Sequence, residues 1–126
     1  MEKKVIVSEK SPAAIGPYSQ AIEYNGIVYT SGVIGVNPAT GEVGETIEEQ
    51  TTQVFENLKG LLADAGSSLD QAIKTTLFIK NMDDFAKVNE IYATYFTGAF
   101  PARSCVEVAR LPKDLLIEVE VTAIKG

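Results

Sequence analysis

The sequence predicts an α+β fold in which two helices cover one face of a mixed six-stranded sheet. Three observations support this prediction. Six short segments are rich in apolar and β-branched residues, two longer segments repeat apolar residues mostly every three, four or seven positions, and the last segment alternates apolar with polar residues. Because each helix has a single apolar stripe, both helices are expected on the same face of the sheet.

Six segments have the composition of β-strands. They are Lys4–Val7, Ala21–Tyr24, Ile27–Val36, Ile73–Ile79, Cys105–Ala109 and Leu116–Ile124. The strongest local signal is Asn25-Gly26, which lies between the second and third segments and tolerates the positive φ angles of a two-residue hairpin turn. Ser11–Tyr18 contains two prolines and a glycine and predicts an irregular loop, and Asn37–Glu45 is rich in turn residues.

Two segments predict amphipathic helices. Thr46 and Glu49 have the spacing of a capping box at the start of the first helix, and Gly66 is expected to end it. The apolar stripe of this helix comprises Ile47, Val54, Leu58, Leu61, Leu62 and Ala65. The second helix is predicted from near Asp83 to around Gly98. Its apolar face carries Phe85, Val88, Tyr92 and Tyr95.

Composition limits the functions that the chain can have. Its 126 residues suit one domain spanning residues 1–126. The chain has no histidine and one cysteine, which excludes histidine-dependent nucleophiles, histidine proton shuttles, HExxH zinc sites and an internal disulfide. No nucleotide-binding or metal-binding motif is present, so we expect no cofactor and no metal.

Charge and hydropathy limit the partners. Seventeen acidic and 11 basic residues give a net charge of −6, so the overall field repels phosphate backbones and nucleic acid is not an expected partner. The sequence contains no apolar run of membrane-spanning length and its N-terminus does not resemble a signal peptide, so we expect a cytoplasmic protein with no membrane partner.

The last predicted strand indicates a sheet face that the helices leave open. Its two faces alternate, with Ile117, Val119, Val121 and Ala123 directed toward the helices and Glu118, Glu120 and Thr122 directed away from them. The open face must meet solvent or another copy of the chain. Because it combines Phe78, and either Val106 or Val108, with carboxylates, we expect a homo-oligomer.

Arg103 and Glu118 are the candidate catalytic residues. The Arg103 guanidinium is a rigid fork that suits a carboxylate, although an ion pair with one of the many acids of the chain would equally explain it. Glu118 is the candidate base, because burial at an interface would raise its pKa, and the alternative is a solvated strand glutamate. We expect the two groups to face the same gap between subunits.

Five further residues could line a site. Tyr18 and Ser31 offer hydroxyls and Gly32 offers a backbone amide that a ligand can approach, while turn formation and core packing would also explain all three. Asn89 is either an exposed polar residue or a buried hydrogen-bonding one. Cys105 has no histidine to activate it, so it is expected to be a small packing side chain rather than a nucleophile.

Several segments resemble one known family. PARSCVEVARLPKDLLIEVEV at residues 101–121 is similar to the signature of the RidA (YjgF-type) family, the 2-iminobutanoate/2-iminopropanoate deaminases. AAIGPYSQA at residues 13–21, TSG at 30–32, NPATGEV at 37–43 and DFAKVNEIYATYF at 84–96 resemble other blocks of this family in the same order. The resemblance covers essentially the whole chain.

This resemblance implies a chorismate-mutase-like fold and a homotrimer in which the sheets form a central barrel and ligand clefts lie between subunits. It implies hydrolysis of 2-imino or enamine acids to 2-keto acids and ammonia, without a cofactor. Arg103 matches the arginine that binds the substrate carboxylate, and Glu118 matches the acid that positions the hydrolytic water. The residues that match the cleft lining are Tyr18, Ser31, Gly32, Asn89 and Cys105, the last mainly through its backbone.

Two alternatives to a deaminase remain, and the sequence departs from the family at two positions. The alternatives are a non-catalytic trimer that binds small carboxylates or acts as a chaperone, and a ribonuclease or translation inhibitor, which the acidic composition disfavours. Where the family commonly reads SGQIP, this chain has Val33 in place of glutamine and Gly35 in place of proline. These changes leave the proposed ligand residues intact but bear on side-chain preference and loop rigidity.

Overall fold

A computed structural model describes residues 2–126, which form seven β-strands and two α-helices. The strands are β1 (Lys4–Ile6), β2 (Ala21–Tyr24), β3 (Ile27–Thr30), β4 (Val33–Ile34), β5 (Ala72–Ile79), β6 (Ala102–Glu107) and β7 (Ile117–Ile124), and the helices are α1 (Ile47–Asp64) and α2 (Phe85–Ala93). Short 3₁₀ turns precede β5, α2 and β7. The predicted α+β class is confirmed.

All seven strands belong to one mixed sheet. Their order is β1-β2-β3-β7-β5-β6, and β4 pairs with β7 beyond the end of β3. Every pair is antiparallel except β5 and β6, which are parallel. The hairpin between β2 and β3 turns at Asn25 and Gly26 with φ angles of 53° and 79°, as the sequence predicts.

The prediction of six strands is wrong by one, because Ile27–Val36 is interrupted at Ser31-Gly32. Both halves still pair with β7, since β3 pairs with its C-terminal part and β4 pairs with Val119 and Glu118. At the interruption, the hydroxyl of Thr30 accepts a hydrogen bond from the Val121 amide at 2.9 Å. A buried donor of the central strand is therefore satisfied although the ladder is broken there.

Two other predicted boundaries differ from the structure by about three residues or more. Helix α2 ends at Ala93 instead of near Gly98. The chain leaves the helical path because both the amide and the hydroxyl of Thr97 donate to the Asp70 carboxylate. Strand β6 begins at Ala102 instead of Cys105, because it pairs in parallel with β5 from that residue onward. Arg103 consequently lies within the strand and not at its entry.

The core lies between the helices and one face of the sheet. Every apolar residue predicted for the α1 stripe is buried, as are the four β7 residues predicted to face the helices. The capping box of Thr46 and Glu49 is present, and Gly66 follows the helix with a φ of 82°. Phe55 and Asn57 are also buried in α1, although neither belongs to the predicted stripe. The side-chain amide of Asn57 donates to the carbonyls of Ile34 and Val36. Among residues 2–126, no helix has the length and hydropathy of a membrane span.

Thr46→Ala should lower the free energy of unfolding by about 1 kcal/mol, because the Glu49 amide loses its acceptor at the N-terminus of α1. Urea denaturation of the wild-type and variant proteins measures the difference. Thr52→Ala is the matched control, since Thr52 is exposed within the same helix and alanine favours helix there. Equal effects of the two substitutions would contradict the capping assignment.

Candidate functional site

Arg103 lies on the side of the sheet that the helices cover. Its register partner in β5 is Thr75, which is fully buried beneath the helices. The guanidinium carbon lies 4.8 Å from the centre of the Tyr92 ring and 5.3 Å from the centre of the Phe85 ring, and both rings belong to α2. Such contacts attract a cation to the face of an aromatic ring and stabilise it without neutralising its charge.

Arg103 has no acidic partner within residues 2–126. The ion pairs in this part of the chain are Lys10–Asp64, Arg110–Asp114 and Lys125–Glu23. The ion-pair explanation that the sequence left open for Arg103 is therefore wrong. A half-buried guanidinium whose N–H groups are unpaired is suited to a bidentate contact with an anionic ligand.

A surface pocket of about 310 Å³ adjoins this guanidinium, and we call it the arginine pocket. Its lining residues are Asn89, Tyr92, Ala93, Phe100, Pro101 and Arg103. Asn89 is half-buried, and its Oδ1 atom is shielded from solvent and has no hydrogen-bond partner among the described residues. Asn89 therefore matches neither alternative left by the sequence, which were an exposed polar residue and a buried residue with its hydrogen bonds made. An unpaired buried acceptor favours a ligand that brings an N–H donor.

Cys105 lies two residues beyond Arg103 on the same side of β6 and packs against the hydrophobic core. Burial raises the pKa of its thiol, and the opposing effect of the Arg103 charge is smaller. The thiol thus stays protonated at neutral pH, when it is a poor nucleophile. The structure agrees with the interpretation of Cys105 as a small packing side chain.

Glu118 lies on the opposite, open face of the sheet. Its register partners are Phe78 in β5 and Ile34 in β4, so apolar side chains flank it on both sides. It is half-buried and has no hydrogen-bond or ion-pair partner within residues 2–126. Burial raises the pKa of its carboxyl group, and repulsion by Glu120 adds to the shift. The solvated glutamate considered from the sequence is not what the structure contains.

Gly32 lies against Glu118, and Tyr18 and Ser31 line a small cavity together with Gly32; we call these four residues the glutamate cluster. A Cβ atom on Gly32 would lie 1.8 Å from Glu118 Oε1, so only glycine leaves room for the carboxylate. The Ser31 hydroxyl donates to the Ser19 carbonyl at 2.6 Å, and Tyr18 is exposed. Tyr18, Ser31 and Gly32 line a common small cavity of about 50 Å³.

The loop that carries Tyr18 is organised by Gln20, which the sequence analysis did not single out. The buried Gln20 side chain donates to the carbonyls of Ser8, Ser11 and Pro12 and accepts from the Ser8 amide at 2.8 Å. The signal available in the sequence was a polar residue directly before a strand whose first residue is apolar, which does not distinguish a buried glutamine from an exposed one.

The candidate residues thus form two groups on opposite faces of one chain. Arg103, Asn89 and Cys105 belong to the helix-covered side, whereas Glu118 lies on the open face with Gly32 against it. The expectation that Arg103 and Glu118 face one gap cannot be met within a single chain. Only a second copy could bring another Glu118 to this Arg103, so a shared gap between copies remains a prediction.

The sheet, its two covering helices and the segment around Arg103 define a class of small α+β proteins. The family model described as Endoribonuclease L-PSP matches residues 8–125. The chain belongs to this family, also called the YjgF/RidA family, and the resemblance recognised in the sequence is confirmed.

Relatives within the family carry different names. The chain is 49% identical to the 2-iminobutanoate/2-iminopropanoate deaminase of Salmonella typhimurium over 125 residues, which cover 97% of this chain and 98% of that protein. It is 50% identical over 126 residues to a RutC family protein of Pyrococcus abyssi, with 99% of each chain covered. The crystal structure of the Escherichia coli YjgF gene product matches with a TM-score of 0.94 and 47% identity, covering 98% of this chain and 99% of that chain.

Glu118→Gln should raise the melting temperature at pH 8 and leave it unchanged at pH 4. A carboxyl group whose pKa is raised above 4.5 by folding binds more protons in the folded state than in the unfolded state, so its penalty appears as pH rises through the folded-state pKa. Below 4.5 the group is mostly neutral in both states and costs little. Thermal melts at both pH values test this, with the exposed Glu90→Gln as control. The same shift at both pH values would contradict the assignment.

Proposed function

We propose that this protein hydrolyses 2-imino acids to 2-keto acids and ammonia at sites shared between copies of the chain. The observation that carries the proposal is the half-buried Arg103 guanidinium, which has no carboxylate partner in the chain and opens into a pocket of small-molecule size. The deaminase names of near-full-length relatives support the same reaction class.

In this proposal the arginine pocket binds the substrate. The guanidinium of Arg103 holds the carboxylate through paired N–H···O bonds, which its planar geometry favours. Asn89 Oδ1 accepts a hydrogen bond from the imine nitrogen and so gains the partner that it lacks in the chain. Phe100 and Ala93 give the pocket an apolar wall for a short side chain.

Glu118 of another copy supplies the acid–base chemistry. As water oxygen bonds to the protonated imine carbon, Glu118 takes a proton from the water and a neutral carbinolamine forms. Glu118 returns this proton to the amine nitrogen, the C–N bond breaks with its electron pair leaving on nitrogen, and the hydroxyl proton passes to the departing ammonia, which gives the keto acid and ammonium. A carboxyl group whose pKa is raised by burial is suited to both transfers.

The open face is proposed as the surface on which copies assemble. It carries the exposed apolar side chains of Tyr29, Val106 and Ile124 beside the half-buried Phe78 and Glu118. In a closed ring of three copies, each chain would offer Arg103 to one gap and Glu118 to the next. The homotrimer is the assembly implied by the family resemblance.

A second candidate is a binding protein without turnover. It would use the same unpaired Arg103 to bind keto acids or other small carboxylates, and Glu118 would have no role in it. RNA cleavage, suggested by the description of the family model, is disfavoured by the net charge of −6 and the absence of histidine. Turnover by the wild-type protein separates the first two functions.

A coupled assay tests the deaminase directly. Threonine dehydratase generates the imine, semicarbazide traps it as a semicarbazone, and an active protein lowers the rate of semicarbazone formation. Arg103→Ala should lower kcat/KM about 10- to 100-fold through loss of charged hydrogen bonds, and Glu118→Gln should lower kcat about 10²- to 10⁴-fold. An inactive wild-type protein that still binds 2-ketobutyrate would favour the binding function.

Mixing the two impaired variants tests whether the site is shared. After unfolding and joint refolding of Arg103→Ala with Glu118→Gln, about a quarter of the gaps in random rings would combine an intact arginine with an intact glutamate. The activity of the mixture should therefore rise above that of either variant refolded alone. A mixture no more active than the two variants, with mixed assemblies demonstrated by mass spectrometry, would show that the site is not divided in this way.

A further inference from the structure

We propose that Tyr92 is a positioning residue that holds the Arg103 guanidinium ready for a carboxylate, and that the buried hydroxyl of Thr75 fixes Tyr92 in place. This inference rests on the proposed function only in assigning Arg103 to the substrate. Its structural basis is a closed arrangement of three residues from β5, α2 and β6.

The arrangement joins neighbours in the sheet to a residue of the covering helix. Thr75 and Arg103 are register partners on adjacent parallel strands, so their side chains lie on the same side. The Tyr92 hydroxyl lies 2.9 Å from Thr75 Oγ1, and the Tyr92 ring lies 4.8 Å below the guanidinium carbon of Arg103. One tyrosine thus connects the arginine to a buried residue next to it in the sheet.

Tyr92 has little freedom to move. Its side chain is 5% exposed, and its ring packs edge-on against Phe55 at 5.4 Å and tilted against Phe96 at 4.8 Å. Burial raises the pKa of Tyr92, so its hydroxyl stays protonated at neutral pH. Both hydroxyls are buried and each is the partner of the other, so removal of either leaves a polar atom unsatisfied.

Aromatic rings can order the Arg103 side chain without competing with the substrate for its N–H groups, whereas an acidic partner would compete. A free arginine side chain samples many rotamers, and ordering it on ligand binding costs free energy. A carboxylate partner would order Arg103 but would also compete with the substrate carboxylate for the same N–H groups. The rings of Tyr92 and Phe85 hold the guanidinium carbon over their own faces and accept no conventional hydrogen bond from its N–H groups, which remain available to a ligand.

The experiment compares substitutions along this connection. Tyr92→Leu removes the ring, and Tyr92→Phe and Thr75→Val each remove one hydroxyl. Tyr95→Phe is the matched control, because Tyr95 lies one turn further along the chain and donates its hydroxyl to Glu56 instead. The dissociation constant of 2-ketobutyrate is measured by calorimetry, and kcat and KM by the semicarbazide assay, on variants whose folding is verified by thermal melts.

Tyr92→Leu should weaken 2-ketobutyrate binding about tenfold. Tyr92→Phe and Thr75→Val should weaken it about threefold, within the range for loss of one hydrogen bond. In each case KM should rise while kcat changes little, because the carboxylate contact is the same in the ground and transition states. Tyr95→Phe should change neither constant. If Tyr92→Leu does not fold, the dissociation constants of Tyr92→Phe and Thr75→Val test whether Tyr92 positions Arg103.

A double-mutant cycle distinguishes positioning from general destabilisation. In the Arg103→Ala background, Tyr92→Phe should cause no further loss of kcat/KM, because Tyr92 acts through the arginine. Additive losses, or unchanged 2-ketobutyrate binding in folded Tyr92→Phe and Thr75→Val, would overturn the proposal. Because 2-ketobutyrate binding requires no turnover, it tests Tyr92 even if the wild type does not hydrolyse imines. A wild type that neither binds 2-ketobutyrate nor hydrolyses the imine overturns both proposals, whereas in an active wild type that binds 2-ketobutyrate weakly the KM values test Tyr92.

Discussion

The alternation of side chains along β5, β6 and β7 determines where every candidate residue lies. Successive residues of a strand point to opposite faces, so the register that places Thr75 beside Arg103 under the helices also places Phe78 beside Glu118 on the open face. A slip of one residue between β5 and β7 would exchange these faces and expose the core. Burial of the core therefore fixes the separation of the cationic and acidic groups.

This separation leaves two half-buried charges without ion-pair partners among residues 2–126. Removing a charge from water without a counter-charge costs free energy, and the raised pKa of Glu118 expresses that cost. Arg103 offsets part of the cost through the rings of Tyr92 and Phe85, which attract the charge but leave its hydrogen-bonding edge unused. Both groups thus favour contact with something outside the chain.

Local signals predicted the fold well where neighbouring residues decide the conformation. Asn25-Gly26 forms its turn from its own φ preferences, and Thr46 caps α1 through a residue three positions away. Long-range contacts decided the features that the sequence did not predict. The end of α2 depends on Asp70, and the interruption before β4 depends on the central strand β7. The lack of an acidic partner for Arg103 in the described part of the chain is likewise a property of the assembled fold. The spacing of residues along the sequence could not predict it.

The two departures from the family pattern concern packing against α1 more than the open face. Val33 pairs with Val119 and is buried on the helix-covered side, while the adjacent Ile34 is the residue beside Glu118. A Cβ atom on Gly35 would lie 2.7 Å from the carbonyl oxygen of Gln50, so the backbone of α1 lies closer to this segment than a residue with a Cβ, proline included, would allow without a shift. Glycine accordingly permits the close approach at the expense of rigidity in the free chain. Neither change alters the residues next to Glu118 on its own strand. The two departures therefore affect how firmly β4 is held and not which groups surround Glu118.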